Sequence, residues 1–190
     1  MEIRIYFEGN RALRPGFEHL FSDLRIATRE ADSEIQFVAA KSGPHDYRKA
    51  ARTHPHAWNI LLKDSEEQMP QNPAALCERH GIDPRLVADV FWMVELMESW
   101  FLADPEALAK YYGKDFLTSA IGGTQDVEKI QKADVLHRLK QASRNTQKGE
   151  YHKVKHAPHL LERLDPDRVQ KHASHCRKLF DAVRARLQGS

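Results

Sequence analysis

Apolar residues in the first third of the chain fall into short blocks, each running into polar or glycine-containing residues. Ile3-Arg4-Ile5-Tyr6-Phe7 leads into Glu8-Gly9, and Glu34 to Ala40 alternates, then turns apolar ahead of Lys41-Ser42-Gly43-Pro44. Ile60-Leu61-Leu62 leads into Lys63-Asp64-Ser65-Glu66-Glu67. Runs this short, bounded by turn residues, read as strands buried on both faces, although periodicity by itself leaves a helix open. Between the first two blocks Phe17, Leu20, Phe21, Leu24 and Ala27 recur at helical spacing after Pro15-Gly16, closing near Ala31-Asp32. A short helix is expected over His45 to Thr53, and a fourth strand over Val87 to Val94. Strands alternating with helices predict a mostly parallel sheet with right-handed crossovers.

Downstream the pattern changes. Pro70, Pro73 and Gly81 punctuate Gln68 to Asp83, which reads as an irregular excursion over the crevice around a short helix, Ala74 to Arg79. Asp104 is placed to cap a helix that begins at Pro105 and stops at Gly113. Beyond Val127 apolar positions follow helical spacing: Val135, Leu136 and Leu139; Leu160, Leu161 and Leu164; then Val169 and Cys176 to Leu187. Asp165-Pro166 separates the last two segments, and Gly189-Ser190 reads as a frayed end. The expectation is one α/β domain over 1–190, with a sheet-containing core of about four strands in 1–104 and a helical C-terminal part in 105–188.

Composition narrows the class without naming a function. A mean hydropathy of -0.64 and the lack of any apolar run of membrane-spanning length predict a soluble protein. Cys77 and Cys176 cannot build a disulfide framework and have no CxxC spacing, and Met1-Glu2-Ile3-Arg4 opens no apolar leader. A reducing, cytoplasmic setting follows as the expectation. The net charge of +2 is uninformative beside its distribution: carboxylates gather at the expected strand ends, whereas Lys129 to Arg186 is rich in Lys, Arg and His. That asymmetry suits an anionic polymer held near a metal, and equally a solvated helical face.

Glu8, Asp64 and Glu66 carry the chemical argument. In open parallel sheets ligands bind beyond the carboxyl ends of the strands. Two strands ending in acids there can hold a hard divalent cation such as Mg²⁺ or Mn²⁺, with water or phosphate completing its shell. The Asp64-x-Glu66 spacing places both on one face of an extended segment; the plainer account makes Glu8 a turn residue and Asp64 a helix cap. Glu95 and Glu98 share a face only if their stretch is helical. Among Trp92, Met93, Leu96, Met97, Trp100 and Phe101, at least one of them is expected to be poorly solvated and to need a compensating cation, while Glu95 reads as the edge of an amphipathic helix. Glu150-Tyr151-His152-Lys153-Val154-Lys155-His156 supplies cations and proton-transfer groups, and Lys153 or Lys155 is the candidate to neutralise phosphate charge. His152 and His156 lack an HExxH setting, and His172 and His175 beside Cys176 make no zinc pattern. Neither GxxxxGK[ST] nor GxGxxG occurs, and Ser65 and Ser99 lack the GxSxG frame.

Ile5-Tyr6-Phe7-Glu8-Gly9, Leu61-Leu62-Lys63-Asp64-Ser65-Glu66, Met97-Glu98-Ser99-Trp100-Phe101-Leu102-Ala103-Asp104, Tyr111-Tyr112-Gly113 and Glu150-Tyr151-His152-Lys153, in this order, resemble the bacterial domain-of-unknown-function 4276 family. That family looks Toprim-related, similar to small nuclease effectors that accompany ABC-type ATPases in anti-phage and abortive-infection systems. The resemblance implies a Toprim-like α/β fold in which Glu8 is the first-strand glutamate and Asp64 with Glu66 stand where an Asp-x-Asp pair is usual. It implies that Glu98 matches the glutamate of a Phe/Met-Glu-x-Trp block and Lys153 a late lysine. The expected activity is a divalent-metal-dependent endonuclease on DNA or RNA: Glu8, Asp64, Glu66 and Glu98 at Mg²⁺ or Mn²⁺, Glu8 as ligand or base, and Lys153 or Lys155 at the phosphate. The expected partner is an ABC- or SMC-like ATPase, and the rival is a non-catalytic Toprim-like subunit docked on that ATPase.

Overall fold

In the computed structural model, which describes residues 1–123 and 125–189, four strands form one all-parallel sheet in the order β2-β1-β3-β4. They are β1 Glu2–Glu8, β2 Glu34–Ala40, β3 Trp58–Asp64 and β4 Val90–Met93. The helices are α1 Arg14–Leu20, α2 Ser22–Glu30, α3 Pro44–Thr53, α4 Pro73–Arg79, α5 Pro105–Tyr112, α6 Lys132–Ser143, α7 Lys153–Leu161, α8 Pro166–His172 and α9 Ser174–Gln188. Ser190, half of the expected frayed end, lies outside the described residues.

Both faces of the sheet are covered, as the near-continuous apolar strands require. Ile3, Ile5, Phe7, Phe37, Ile60, Leu62 and Met93 face one hydrophobic cluster with α1, α2 and the C-terminal helices. Tyr6, Ala40, Leu61, Val90 and Trp92 face a smaller one closed by α3, α4 and a 3₁₀ turn at Pro84–Asp89. The first cluster runs from Ile3 to Val183, so the C-terminal helices share a core with the sheet. Burying large aliphatic and aromatic side chains at roughly 25 cal/mol per Å² makes this core the main stabilising term. Gly16 sets one approach distance: a Cβ there would stand 2.6 Å from Leu161 Cβ, so α1 and α7 meet where residue 16 has no side chain.

Two elements differ from the pattern reading. The single helix expected after Pro15 is broken at Phe21, whose φ of -102° and ψ of 25° leave the helical region. The break seats the Phe21 ring between Phe37 and Phe180, at centroid distances of 5.6 and 4.9 Å. The fourth strand begins at Val90, because Pro84–Asp89 coils into a 3₁₀ turn that starts at the Asp83 cap and holds Asp89 against Trp58 Nε1 at 2.8 Å. Among the described residues no helix is long and apolar enough to cross a membrane.

Candidate active site

Strand register brings the acids together. Phe7 pairs with Leu62, so the next residues, Glu8 and Lys63, emerge side by side at the carboxyl rim. Glu8 Oε2 accepts from Lys63 Nζ at 2.8 Å and from the Asp64 backbone N at 3.2 Å. Asp64 ends β3 opposite Met93 of β4, and its Oδ1 accepts from Met97 N at 2.8 Å. The chain then enters a 3₁₀ stretch, Met97–Ala103, which buries Glu98 with 0% exposure among Met97, Trp100 and Phe101. A third contribution comes from the connection between α6 and α7 and from the first residue of α7. There Tyr151 OH donates to Glu98 Oε1 at 3.0 Å, and Lys153 Nζ donates to Glu98 Oε2 at 3.2 Å while lying 3.6 Å from Asp64 Oδ2. Tyr151 is itself fixed through its backbone N, which donates to Ser143 Oγ on α6 at 2.7 Å.

The electrostatics follow from placing several charges in a poorly solvated rim. Burial, reinforced by the nearby charges of Glu98 and Glu8, pushes the Asp64 carboxyl up from 3.8 to about 7, against the opposing pull of Lys153 and the Met97 N–H. Burial works to lower the Lys153 ammonium, but Glu98 and Asp64 outweigh it and leave the lysine more basic than usual. Burial and the charge of Glu98 raise the Tyr151 hydroxyl far above its ordinary value, so it stays a neutral phenol and a donor. Lys153 keeps a 53% exposed side chain, so this cation can leave without unpacking the core.

Other expected residues go elsewhere. Glu66 does not continue the strand: its φ is +60°, its side chain is 48% exposed, and its carboxylate pairs with Lys132 Nζ across the mouth of the site. Alternate residues share a face only while the backbone stays extended, and β3 ends at Asp64. Glu95 is not the edge of a helix. It also has a φ of +60°, and it is buried, with its carboxylate accepting from Gln68 Nε2 at 2.8 Å and from Lys132 N at 2.9 Å. Lys155 turns away and donates to the Lys148 carbonyl at 3.3 Å. Asp64, Glu98 and Lys153, together with Glu66, Lys132 and Lys140, line one open cavity of about 600 Å³.

Sequence reasoning missed Lys63 and the role of Tyr151. Lys63 directly follows an apolar run and becomes a partner of Glu8 only through register; Tyr151 belongs to a block rich in chemical groups, but nothing local ties it to Glu98. Gln68 lies in the stretch expected to be irregular, and it bridges the rim by donating to both Glu95 and the Glu128 carbonyl. His156 accepts from His152 N at 3.1 Å, His175 engages Glu128 at 2.9 Å and Cys176 is buried.

Among the described residues no three His, Cys, Asp or Glu side chains form a ready metal cage. Mg²⁺ needs less, since one or two carboxylates plus waters and substrate phosphate are its usual shell. Asp64 Oδ2 and Glu98 Oε2 fit that description. They are hard anionic donors converging on a single cation, the Lys153 ammonium, while Asp64 Oδ1 and Glu98 Oε1 are anchored by Met97 N and Tyr151 OH.

A parallel α/β sheet with a buried carboxylate–lysine cluster at the carboxyl ends of its strands defines the class of this protein. Within that class, the chain belongs to the family described as Domain of unknown function (DUF4276), whose profile matches residues 9–184, starting one residue after Glu8. No curated protein and no solved structure matches the chain.

Proposed function

We propose that this protein is a Toprim-like nuclease that hydrolyses phosphodiester bonds of DNA or RNA with Mg²⁺ or Mn²⁺. The observation that carries the reading is the convergence of Asp64 Oδ2 and Glu98 Oε2 on Lys153 Nζ beside an open cavity whose wall carries both acids and lysines. Asp64 and Glu98 would hold the ion, which supplies Lewis-acid polarisation of a phosphoryl oxygen and a more acidic water. The Met97 N–H and Tyr151 OH keep those carboxylates aimed. Lys153, displaced from between them, is positioned to stabilise charge developing on the phosphate, a role Lys155 cannot share from its place on the Lys148 carbonyl. Glu8 has one oxygen occupied by Lys63 and Asp64 N, and its Oε1, on the Gly43 side, would have to turn toward the Asp64 cavity to accept the proton of an attacking water. Glu66 stands at the wall, outside the metal set of this reading. The motif resemblance supports the wider setting: an effector of cytoplasmic anti-phage defence acting with an ABC- or SMC-like ATPase.

Asp64→Ala tests the reading. Purified protein with Mn²⁺ or Mg²⁺ is expected to cleave DNA or RNA, and the variant to lose at least about 100-fold in rate while keeping its far-ultraviolet spectrum. Cleavage at the unchanged rate by Asp64→Ala removes the assignment. One observation favours a second reading, a non-catalytic subunit docked on an ATPase: Lys63 and Lys153 already neutralise much of the carboxylate charge from within. Absence of cleavage with every nucleic acid, metal and ATPase combination, with ATPase binding retained, would select it.

A further inference from the structure

A second cavity, of about 660 Å³, opens at the carboxyl ends of β1 and β2, on the opposite side of Glu8 from the Asp64 cavity, with Arg11 and Lys41 on its wall. Gly43 holds that wall close to the site. Its φ is +47° and a Cβ there would stand 3.7 Å from Glu8 Oε1. Ala39 and Asp46 are shared with a shallower concavity of about 250 Å³ along β2, which in turn shares Lys49 and Thr53 with one of about 400 Å³ that includes Arg48 and Arg52. The three adjoin through these shared wall residues, and we read them as one trough leading from the carboxyl ends of β1 and β2 to the outer side of α3.

Arg4, on the wall along β2, is paired with Glu2, but five other cations of the trough have no partners. Arg11, Lys41, Arg48, Lys49 and Arg52 are exposed, and among the described residues none has a side-chain ion pair, hydrogen bond or ring contact. The acid on the wall, Asp46, is engaged by Ser42 N at 2.8 Å and lies 3.7 Å from His45. The cations around the Asp64 cavity are instead matched, Lys132 by Glu66, Lys140 by Glu150 and Lys153 by Glu98. Mutually repelling, unpaired cations along a concave path mark a place for a linear polyanion. The ten residues of α3 span about 15 Å, about four phosphate steps of one DNA strand.

We propose that this trough binds the sugar-phosphate backbone of the substrate strand on the β2 side of Glu8, while the scissile phosphate lies at Asp64 and Glu98. The proposal rests on the nuclease reading and extends it to the substrate: a polymer continuing past the cleavage site, gripped through phosphates and without base preference at these positions.

The test is binding of the full chain, in chelator, to a short fluorescein-labelled oligonucleotide, as DNA and as RNA, single-stranded and paired, followed by anisotropy across salt concentrations. The triple variant Arg48→Gln/Lys49→Gln/Arg52→Gln should bind at least about 10-fold more weakly, and the slope of log K against log salt should become shallower by about one for each phosphate no longer neutralised. Lys110→Gln/Lys114→Gln/Lys171→Gln removes the same charge from exposed positions elsewhere and should change affinity by less than about 3-fold. Equal losses in the two variants, or none in the first, overturn the trough and leave the nuclease reading standing. A wild type that binds no oligonucleotide in any form overturns it in favour of an acidic protein partner. Binding as expected without cleavage under any metal condition supports the trough and overturns the nuclease assignment instead.

Discussion

The rim carries two acidic clusters a few residues apart, and they are built differently. Around Glu66 and Glu95, both at a φ of +60°, the loops after β3 and β4 are laced together: Glu66 N donates to the Glu95 carbonyl at 3.0 Å and Glu95 N to Ser65 Oγ at 2.7 Å. Glu95 uses both carboxylate oxygens on fixed donors, Gln68 Nε2 and Lys132 N. In the Asp64–Glu98 cluster each carboxylate has one oxygen anchored, and the other faces a single half-exposed lysine. The first arrangement closes a wall. The second leaves two carboxylate oxygens turned to one shared partner that can move aside, which is what the proposed metal site requires.

Substitutions can break that comparison. The largest stability effect is expected at Glu98: Glu98→Ala leaves Tyr151 OH without its acceptor and opens a void beside Trp100 and Phe101, for a loss of about 3 kcal/mol. Urea denaturation measures it, and a loss below that of Glu66→Ala would reverse the ranking. Glu95→Ala should come next, at about 2 kcal/mol, since it orphans two donors at a buried position. Tyr151→Phe removes one hydrogen bond to a buried carboxylate and should cost about 1.5 kcal/mol. Glu66→Ala, at an exposed pair, should stay within about 1 kcal/mol.

The pH response sharpens the same contrast. The folded state raises the Asp64 carboxyl from 3.8 to about 7, so between these values the native protein binds more protons than the unfolded chain. Stability attributable to this group is fully present below pH 3.8, declines as pH rises through the window, and is gone above about 7. In chelator, Asp64→Asn should therefore gain thermal stability relative to wild type as pH rises from 4 to 7. Parallel melting curves for Asp64→Asn and wild type across this range would show that Asp64 is not held up by its surroundings.

Three of the four strands and the helical C-terminal part are legible in the sequence because each is patterned and punctuated: Glu34 to Ala40 corresponds to β2 residue for residue. The breaks are not. Phe21 fits the helical spacing of its neighbours, and only Phe37 and Phe180, distant in sequence, show why the helix stops there. For the site, the acids at the strand ends stand out, and so does the need of a buried glutamate in the Glu95–Glu98 stretch for a cation. Which glutamate takes Lys153 is hidden, because the connection between α6 and α7 reaches the rim through tertiary packing. Local spacing also groups Glu66 with Asp64, where a left-handed residue after the strand sends Glu66 to Lys132.

The contact at Gly16 bears on the rim from a distance. α7 is nine residues long with Pro158 inside it; Leu161 at its tail packs against the bare backbone of residue 16, and Lys153 stands at its head. A methyl group on residue 16 would have to shift Leu161 and with it α7, at a cost of about 1–3 kcal/mol, and the part of the displacement that passes Pro158 would reach the ammonium at the other end. Gly16→Ala thus works as a lever on the lysine, an alteration remote from the rim that detunes it while every rim residue stays chemically intact.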